Sequence, residues 1–403
     1  MGAIRWCCLG LLCAALTACS SVPSTPVDNT ADTVPAGVLM RLFSPGPVRA
    51  DWLSENFQQA ITADQLTELR DDLAAQLGAL EAIEPGEGVW LMTFENGVLP
   101  VFLRLNPAGE IDTLWFNPIE PQGPLDADQI RELMAGFDGE VAVLVEREGE
   151  VLLAQQADTP LAVGSAFKLT VLQALRAAMA AGDIADDEEL ELIASRKSLP
   201  SGRLQDEADG SRWRVDELAR RMIAQSDNTA TDMLINRVGR APLEALAPRN
   251  TPFLTTAEAF RLKDPRHAAI LARWRNGGEA ERRALLGELD GLALPSLSLF
   301  AQGPVALDVE WFYSARELCA ALEAVGFDPA ASANAAQLDR AHWSRVAYKG
   351  GSEPGVINQS FLLEDLGGRR SCVVATWNHP DGMVTIPFLN LVSHFARLAR
   401  TAD

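Results

Sequence analysis

The clearest indication of the fold is the sequence Pro160-Leu-Ala-Val-Gly-Ser-Ala-Phe-Lys168. Apolar residues continue it at helical spacing, at Leu169, Leu172 and Leu175. Residues at i and i+3 of one helix share a face, so the Ser165 hydroxyl and the Lys168 amine can meet. A serine hydroxyl becomes a nucleophile when a base takes its proton, and a lysine amine serves only where its surroundings keep it neutral. The pattern predicts Ser165 as nucleophile and Lys168 as its base. The alternative is a solvated helix lysine, because this spacing also arises by chance.

Two further motifs follow in chain order. Ser226-Asp-Asn228 lies between two helical patterns, and Lys349-Gly-Gly351 ends a predicted strand. Together, the three motifs resemble the Ser-x-x-Lys, Ser-Asp-Asn and Lys-Thr-Gly elements of class A β-lactamases and penicillin-binding proteins. The first stretch and Ser226-Asp-Asn-Thr-Ala-Thr-Asp232 also look like the β-lactamase-like serine hydrolases related to a clavulanic-acid biosynthesis protein.

The resemblance implies a role for each matching residue. Ser165 attacks an acyl carbonyl and Lys168 takes its proton. Ser226 relays a proton toward the leaving group. Asn228 holds the substrate amide. Lys349 attracts a substrate carboxylate and lowers the pKa of Lys168 by like-charge repulsion.

The same resemblance implies an oxyanion hole. Its two donors are the backbone N–H groups of Ser165 and Ser352, and Gly351 belongs to the substrate-binding strand between Lys349 and Ser352. Asp227 is expected to be structural, with its carboxylate bonded to local backbone.

Two departures from the family pattern bear on turnover. No Glu-x-x-Leu-Asn element is found for activating the water that releases the acyl group; the nearest string, Gly287-Glu-Leu-Asp290, puts Leu286 at the glutamate position. Glu288 is the fallback base, although a surface glutamate at a helix end is the better interpretation. Gly350 stands where the family has Thr or Ser, with Ser352 as a partial substitute. Losing that charge-assisted hydrogen bond costs roughly 1.5–3 kcal/mol, so efficient β-lactam hydrolysis is not expected.

These features favour a serine hydrolase that forms an acyl-enzyme with a small-molecule ester, peptide or β-lactam-like substrate and is weak as a β-lactamase. One alternative is a penicillin-recognising binding or sensor module without turnover, which the missing glutamate favours. Another is a D-Ala-D-Ala carboxypeptidase, which needs no such glutamate.

The first residues predict export. Arg5 precedes an apolar run at 9–16 that is too short to span a bilayer, so residues 1–18 read as a signal peptide. Leu16-Thr-Ala-Cys19 resembles the bacterial lipobox, which implies a lipid on Cys19 and anchoring to a bacterial membrane, facing the periplasm or the cell exterior. An ordinary signal peptide with an incidental cysteine is the alternative. Residues 19–38 are polar and proline-bearing, as in a flexible tether.

The remaining chain predicts two domains of the α+β class. Residues 39–120 show helices and then strand-like runs, with a hairpin signal at Asn96-Gly97, and the resemblance implies a small steroid-isomerase-like (NTF2-like) domain. Residues 125–403 begin and end in strand patterns around a helical middle. This order predicts one antiparallel sheet built from both ends, with a helical subdomain beside it, as in the serine β-lactamase and transpeptidase fold.

Composition excludes several other functions. The chain has 403 residues and a formal net charge of −21, which argues against a nucleic-acid partner. Its four histidines lack zinc-site spacing, and no glycine-rich phosphate loop precedes a helix, so neither metal nor cofactor is expected. Cys319 and Cys372 both look like buried small apolar residues, and a bridge between them stays open.

Overall fold

The structure, a computed structural model, describes residues 33–58, 61–86, 89–117, 119–121, 125–334, 336, 338, 340–383 and 385–401. The predicted signal peptide, Cys19 and most of the predicted tether lie outside these residues. The chain divides into two compact units. One holds the described residues up to Glu95 together with Pro100–Phe116, and the other holds Asn96–Leu99 and the rest from Asn117. Among the described helices, none is long and apolar enough to cross a membrane.

The first unit places helices before a β-meander. Its elements are α1 (Thr33–Leu42), α2 (Glu55–Gln58), α3 (Ala63–Leu77), β1 (Leu80–Pro85), β2 (Trp90–Phe94), the greater part of β3 (Gly97–Leu105) and β4 (Ile111–Phe116). Helix α3 begins at a capping box in which Thr62 and Gln65 bond each other's backbone N–H. Leu42, Leu66 and Ile111 are buried in its core. The predicted α+β order is confirmed, and its likeness to the NTF2 type stays a prediction.

The second unit carries the three motifs. Its elements are β5 (Glu120–Pro121), α4 (Ala127–Met134), β6 (Glu140–Arg147), β7 (Glu150–Gln155), β8 (Leu161–Ala162), α5 (Lys168–Ala181), β9 (Glu189–Glu191), β10 (Arg212–Arg214), α6 (Val215–Ala224), α7 (Asn228–Val238), α8 (Arg240–Leu246), α9 (Thr256–Lys263), α10 (Ala268–Asn276), α11 (Glu279–Leu289), β11 (Phe312–Tyr313), α12 (Ala315–Val325), α13 (Pro329–Ser332), β12 (Trp343–Tyr348), β13 (Gly351–Glu353), β14 (Val356–Asp365), β15 (Arg370–Asn378) and α14 (Ile386–Thr401).

An antiparallel sheet organises this unit. Its strands run in the order β12-β14-β15-β6-β7, and the short β13 also pairs with β14. Strands β6 and β7 come from the start of the unit and β12 to β15 from its end, which confirms the predicted sheet built from both ends of the sequence. Successive side chains of β15 point to opposite faces. Val373 and Ala375 therefore pack in one apolar cluster with Phe388 of α14, while Cys372 and Val374 pack in the other with the central helices.

A disulfide joins the helical subdomain to the sheet. Cys319 of α12 and Cys372 of β15 are bonded, with their Cα atoms 5.9 Å apart, which lies within the ordinary range. Both residues are buried, as the sequence predicts, and the bridge that the sequence left open is present in the structure.

Candidate active site

Ser165 lies on a single 3-10 turn, Gly164–Phe167, directly before α5. The sequence predicts the helix to start at Ser165, whereas α5 begins at Lys168. The i and i+3 side chains still share a face, because they eclipse in a 3-10 turn. Ser165 is half-buried and Lys168 is buried. No hydrogen bond between Ser165 Oγ and Lys168 Nζ is present among the described contacts, since the amine bonds the second motif instead.

Lys168 Nζ lies between Ser226 and Asn228. It is 2.6 Å from Ser226 O, 2.7 Å from Asn228 Oδ1 and 3.2 Å from Ser226 Oγ. Burial, and then repulsion from Lys349, hold the pKa of Lys168 well below its ordinary value. The carbonyl, the amide oxygen and the Ser226 hydroxyl oxygen each accept from the amine. A neutral amine has two N–H donors and one lone pair. In the neutral form, the Ser226 hydroxyl can instead donate to the lone pair of Lys168.

Ser226 also bonds the second buried lysine. Lys349 Nζ donates to Ser226 Oγ at 3.1 Å and to Gly350 O at 2.6 Å. Burial lowers the pKa of Lys349 to about 7. Ser226 itself has φ +55°, in the left-handed region that non-glycine residues rarely adopt and that often marks a functional site. One serine hydroxyl thus connects the two lysines and can pass a proton between them.

Asp227 fixes the backbone of this motif. Its carboxylate accepts from Ala230 N at 2.9 Å, Arg203 N at 2.8 Å and Leu204 N at 2.9 Å. A Cβ at Gly202 would overlap that carboxylate, so only glycine lets the loop approach so closely. The predicted structural role of Asp227 is confirmed.

Asn228 is held at both ends of its amide. Oδ1 accepts from Lys168, and Nδ2 donates to Leu199 O at 3.0 Å. An amide oxygen has a second lone pair and an amide nitrogen a second N–H, so each end keeps one site for a further bond. The predicted contact of Asn228 with a substrate amide stays a prediction.

Strand β13 lies against the turn that carries Ser165. A Cβ at Gly351 would overlap Val163 O and approach Ser165 N to 2.6 Å. A Cβ at Gly164 would come within 3.1 Å of Ser352 N. Both glycines therefore allow the close approach of two backbones. The structure thus brings the backbone of β13 close to the turn that carries Ser165, and the role of the Ser165 and Ser352 N–H groups as an oxyanion hole stays a prediction.

The departure at Gly350 has a steric cause. A Cβ there would overlap the hydroxyl of Tyr348 and lie 3.0 Å from its Cζ. Tyr348 Oη donates to Gln359 Oε1 at 3.1 Å, which holds the ring in place. Tyr348 was not singled out from the sequence. The available signal was its position two residues before Gly350, since i and i+2 share a face of a strand.

Two further carboxylates are now placed. Glu288, the fallback base, forms an ion pair with Arg273 at 2.7 Å near the end of α11, and both side chains are exposed, so its interpretation as a surface glutamate is confirmed. Asp232, inside the second motif, accepts from Thr256 N, Thr256 Oγ1 and Ala257 N at the start of α9. Burial raises the pKa of Asp232 to about 7. Within the described part of the chain, no three His, Cys, Asp or Glu side chains are grouped to hold a metal.

Comparison with known proteins agrees with the motifs. Residues 126–261 match a family described as the beta-lactamase enzyme family. This segment carries Ser165, Lys168, Ser226 and Asn228. No curated protein matches.

Several solved structures are similar to this chain. The structure of PBP-A is 17% identical, with 68% of this chain and 96% of that chain covered and a TM-score of 0.48. A beta-lactamase from Sphaerobacter thermophilus is 20% identical, with 68% of this chain and 97% of that chain covered and a TM-score of 0.47. A representative of class A beta-lactamase from Bacteroides cellulosilyticus is 17% identical, with 68% of this chain and 95% of that chain covered and a TM-score of 0.47.

Proposed function

We propose that the chain is a serine hydrolase that forms an acyl-enzyme at Ser165 on an ester, amide or β-lactam-like substrate. The observation that carries the proposal is the environment of Lys168. Its amine is fully buried among two oxygen acceptors and one hydroxyl, and burial and Lys349 hold its pKa well below the ordinary value. A buried amine with a lowered pKa, within one turn of a half-buried serine, is suited to act as a base beside a nucleophile.

The reaction proceeds in two proton-balanced stages. Ser165 Oγ attacks the acyl carbonyl as its proton passes to Lys168 Nζ, and the carbonyl electron pair moves to the oxygen. The tetrahedral species then collapses, the bond to the leaving group breaks, and Lys168 returns the proton to that group through Ser226. Water finally cleaves the ester at Ser165, which regenerates the hydroxyl and releases the acid.

Turnover of β-lactams is proposed to be slow. The sequence has no Glu-x-x-Leu-Asn element to activate the deacylating water, and Glu288 is engaged with Arg273 at the surface. A general base contributes roughly 10²–10⁴-fold, so release of the acyl group becomes the slow step without one. Small esters leave more room for water at the carbonyl and are the better substrates. The same features favour the second candidate, a module that is acylated and then held.

Intact-protein mass spectrometry tests the proposal. The protein is mixed with a fluorescent penicillin or with short-chain 4-nitrophenyl esters, and the adduct is followed in time. A transient adduct that Ser165→Ala lacks supports the hydrolase, and a persistent one supports the sensor. If neither the penicillin nor the esters form an adduct, the proposed function is wrong. A diacylated D-Ala-D-Ala peptide added as a third substrate identifies the carboxypeptidase alternative by release of D-alanine.

Export and lipidation form a separate proposal. The lipobox-like Leu16-Thr-Ala-Cys19 and the polar residues behind it favour a diacylglycerol on Cys19 and a bacterial membrane as the site of action. Wild type and Cys19→Ala are expressed with and without globomycin and separated by detergent partitioning. Globomycin-sensitive processing of the wild type alone supports the anchor. Soluble release of the wild type with unchanged processing contradicts it.

A further inference from the structure

A second group of buried ionisable side chains takes no part in the steps above. Lys263 Nζ donates to Glu310 Oε1 at 2.5 Å and to the two oxygens of Glu353 at 2.7 Å. The side chains of Lys263, Glu310 and Glu353 are 1%, 3% and 15% exposed. Glu310 Oε2 is buried without a hydrogen-bond partner in the described structure. We call these three residues the carboxylate cluster.

The carboxylate cluster joins three segments around the Ser165 turn. Lys263 ends α9 and Glu353 ends β13. Glu310 precedes Trp311, whose carbonyl accepts from Val163 N at 3.1 Å and whose ring stacks on Phe167 with centroids 3.7 Å apart. Glu353 directly follows Ser352, whose backbone lies against Gly164. Each of the two glutamates is thus one residue away from backbone that contacts the nucleophile turn.

The charges of the cluster favour a proton on Glu353. One ammonium and two ionised carboxylates would leave a net negative charge in a buried place, which is costly. A proton on Glu353 removes that charge. Burial, and then repulsion from Glu310, raise the pKa of Glu353 to about 8.

The charged groups around the cluster are themselves paired. Asp308 is bonded to Arg275 of α10 at 2.6 Å, and Asp264, which follows Lys263, is bonded to Arg266 at 2.8 Å. The hydrogen bond from Arg275, and to a smaller extent the charge of Lys263, lower the pKa of Asp308. Since each of these two arginines is paired with its own carboxylate, neither supplies a second cation to the cluster.

We propose that the carboxylate cluster is a positioning device: while Glu353 holds a proton, the cluster keeps Ser352 beside the Ser165 turn, and loss of that proton releases it. This inference rests on the proposed function, because it concerns the oxyanion donor of that reaction. Strand β13 has three residues and pairs with β14 alone among the described strands. Repulsion between two ionised carboxylates therefore acts on a short edge strand, at the residue next to Ser352.

Glu353→Gln provides a sharp test, because it copies the protonated cluster. In this variant Lys263 faces one carboxylate, so the repulsion between two carboxylates is absent at every pH. The new amide oxygen can accept from Lys263, and its N–H₂ can donate to the unpartnered Glu310 Oε2. Glu310→Gln neutralises the cluster in the same way and serves if the first variant does not fold. Glu323→Gln, on the exposed face of α12, is the matched control.

The measurement is acylation by a fluorescent penicillin between pH 6 and 9.5, followed over a range of concentrations that gives the limiting rate constant and KM, and the second-order rate constant of the variant is divided by that of the wild type. The ratio of variant to wild type cancels the titrations of Lys168 and Lys349, which both proteins share. For Glu353→Gln we expect a ratio near one below pH 7 that rises to about ten at pH 9, as the loss of one proton with a pKa of about 8 requires. The control ratio should stay near one throughout.

The outcomes separate the two proposals. A ratio that rises for either cluster variant supports the positioning role. A flat ratio, with wild-type acylation at Ser165 intact, overturns the positioning role and leaves the proposed function standing. A wild type that neither the penicillin nor the 4-nitrophenyl esters acylate at any pH overturns the proposed function and the oxyanion role with it. A rise caused by KM alone, with the limiting rate constant unchanged, also overturns the positioning role, because an oxyanion donor acts on the chemical step.

Discussion

Two buried lysines of the same unit, Lys168 and Lys263, have pKa values shifted in opposite directions. Burial and a neighbouring ammonium lower the pKa of Lys168, and its nearest partners are a carbonyl, an amide and a hydroxyl. Burial also acts to lower the pKa of Lys263, but Glu310 and Glu353 outweigh it and raise the value. Desolvation is common to both sites, so the presence of carboxylates decides whether a buried lysine is a base or a fixed cation. The first arrangement is suited to chemistry and the second to structure.

The largest expected effect comes from removing the nucleophile. Ser165→Ala should abolish acylation by penicillins and esters, because the hydroxyl forms the covalent bond and the half-buried side chain contributes little packing. Mass spectrometry of the adduct and circular dichroism of the fold are measured together. If a folded Ser165→Ala variant hydrolysed esters at the wild-type rate, Ser165 would not be the nucleophile.

Replacing each lysine by methionine tests whether the two lysines have different roles. Lys168→Met should lower acylation by roughly 10²–10⁴-fold, the usual contribution of a general base, with little loss of stability, because it replaces an amine that has no carboxylate partner. Lys263→Met should lower the free energy of unfolding by about 3–5 kcal/mol, because two carboxylates lose their cation.

Both variants are compared by urea unfolding and by the acylation rate per folded molecule. The double variant Ser165→Ala/Lys168→Met should be no less active than Ser165→Ala, since the two residues act as a unit. Equal destabilisation by the two single methionine variants would remove the distinction between the sites.

The sequence predicts what is local and leaves open what packing decides. Ser165 and Lys168 are found because three residues of spacing fix their common face, and the sheet from both ends is found because strand patterns flank a helical middle. The carboxylate cluster was missed because Lys263 and Glu353 are distant in the chain and nothing in either neighbourhood marks a partner. The Cys319–Cys372 bond was left open for the same reason, since it depends on how α12 packs on β15.

Steric replacement of the third motif gives a smaller effect. Gly350→Thr should destabilise the fold by about 1–3 kcal/mol, because its new Cβ overlaps the Tyr348 hydroxyl. Tyr348→Ala opens that space, so Tyr348→Ala/Gly350→Thr should be more stable than the sum of the two single changes implies. Thermal unfolding of the three variants forms the cycle. Additive losses would mean that the ring does not exclude a side chain at position 350.

A further expected effect is a slope of stability with pH that belongs to Lys349. Its pKa is lowered to about 7 by burial from an ordinary value of 10.5, so between these values the unfolded chain binds a proton that the folded chain lacks. Stability therefore rises with pH through this window, by at most about 1.4 kcal/mol per pH unit. Lys349→Met should lack this contribution, whereas Lys263→Met should keep it. Urea midpoints from pH 7 to 10 measure the difference between variant and wild type at each pH.

The titration of Lys349 should also affect substrate binding, which should weaken as pH rises while stability increases. As pH rises through about 7, Lys349 loses its positive charge, so the KM for a carboxylate-bearing penicillin should rise while the KM for an uncharged ester stays level. The ester is the internal control, because it shares the nucleophile and the base but has no anionic group for Lys349 to attract. A KM that rises equally for both substrates would assign the effect to the base or the fold, and Lys349 would then join Lys263 as a structural cation.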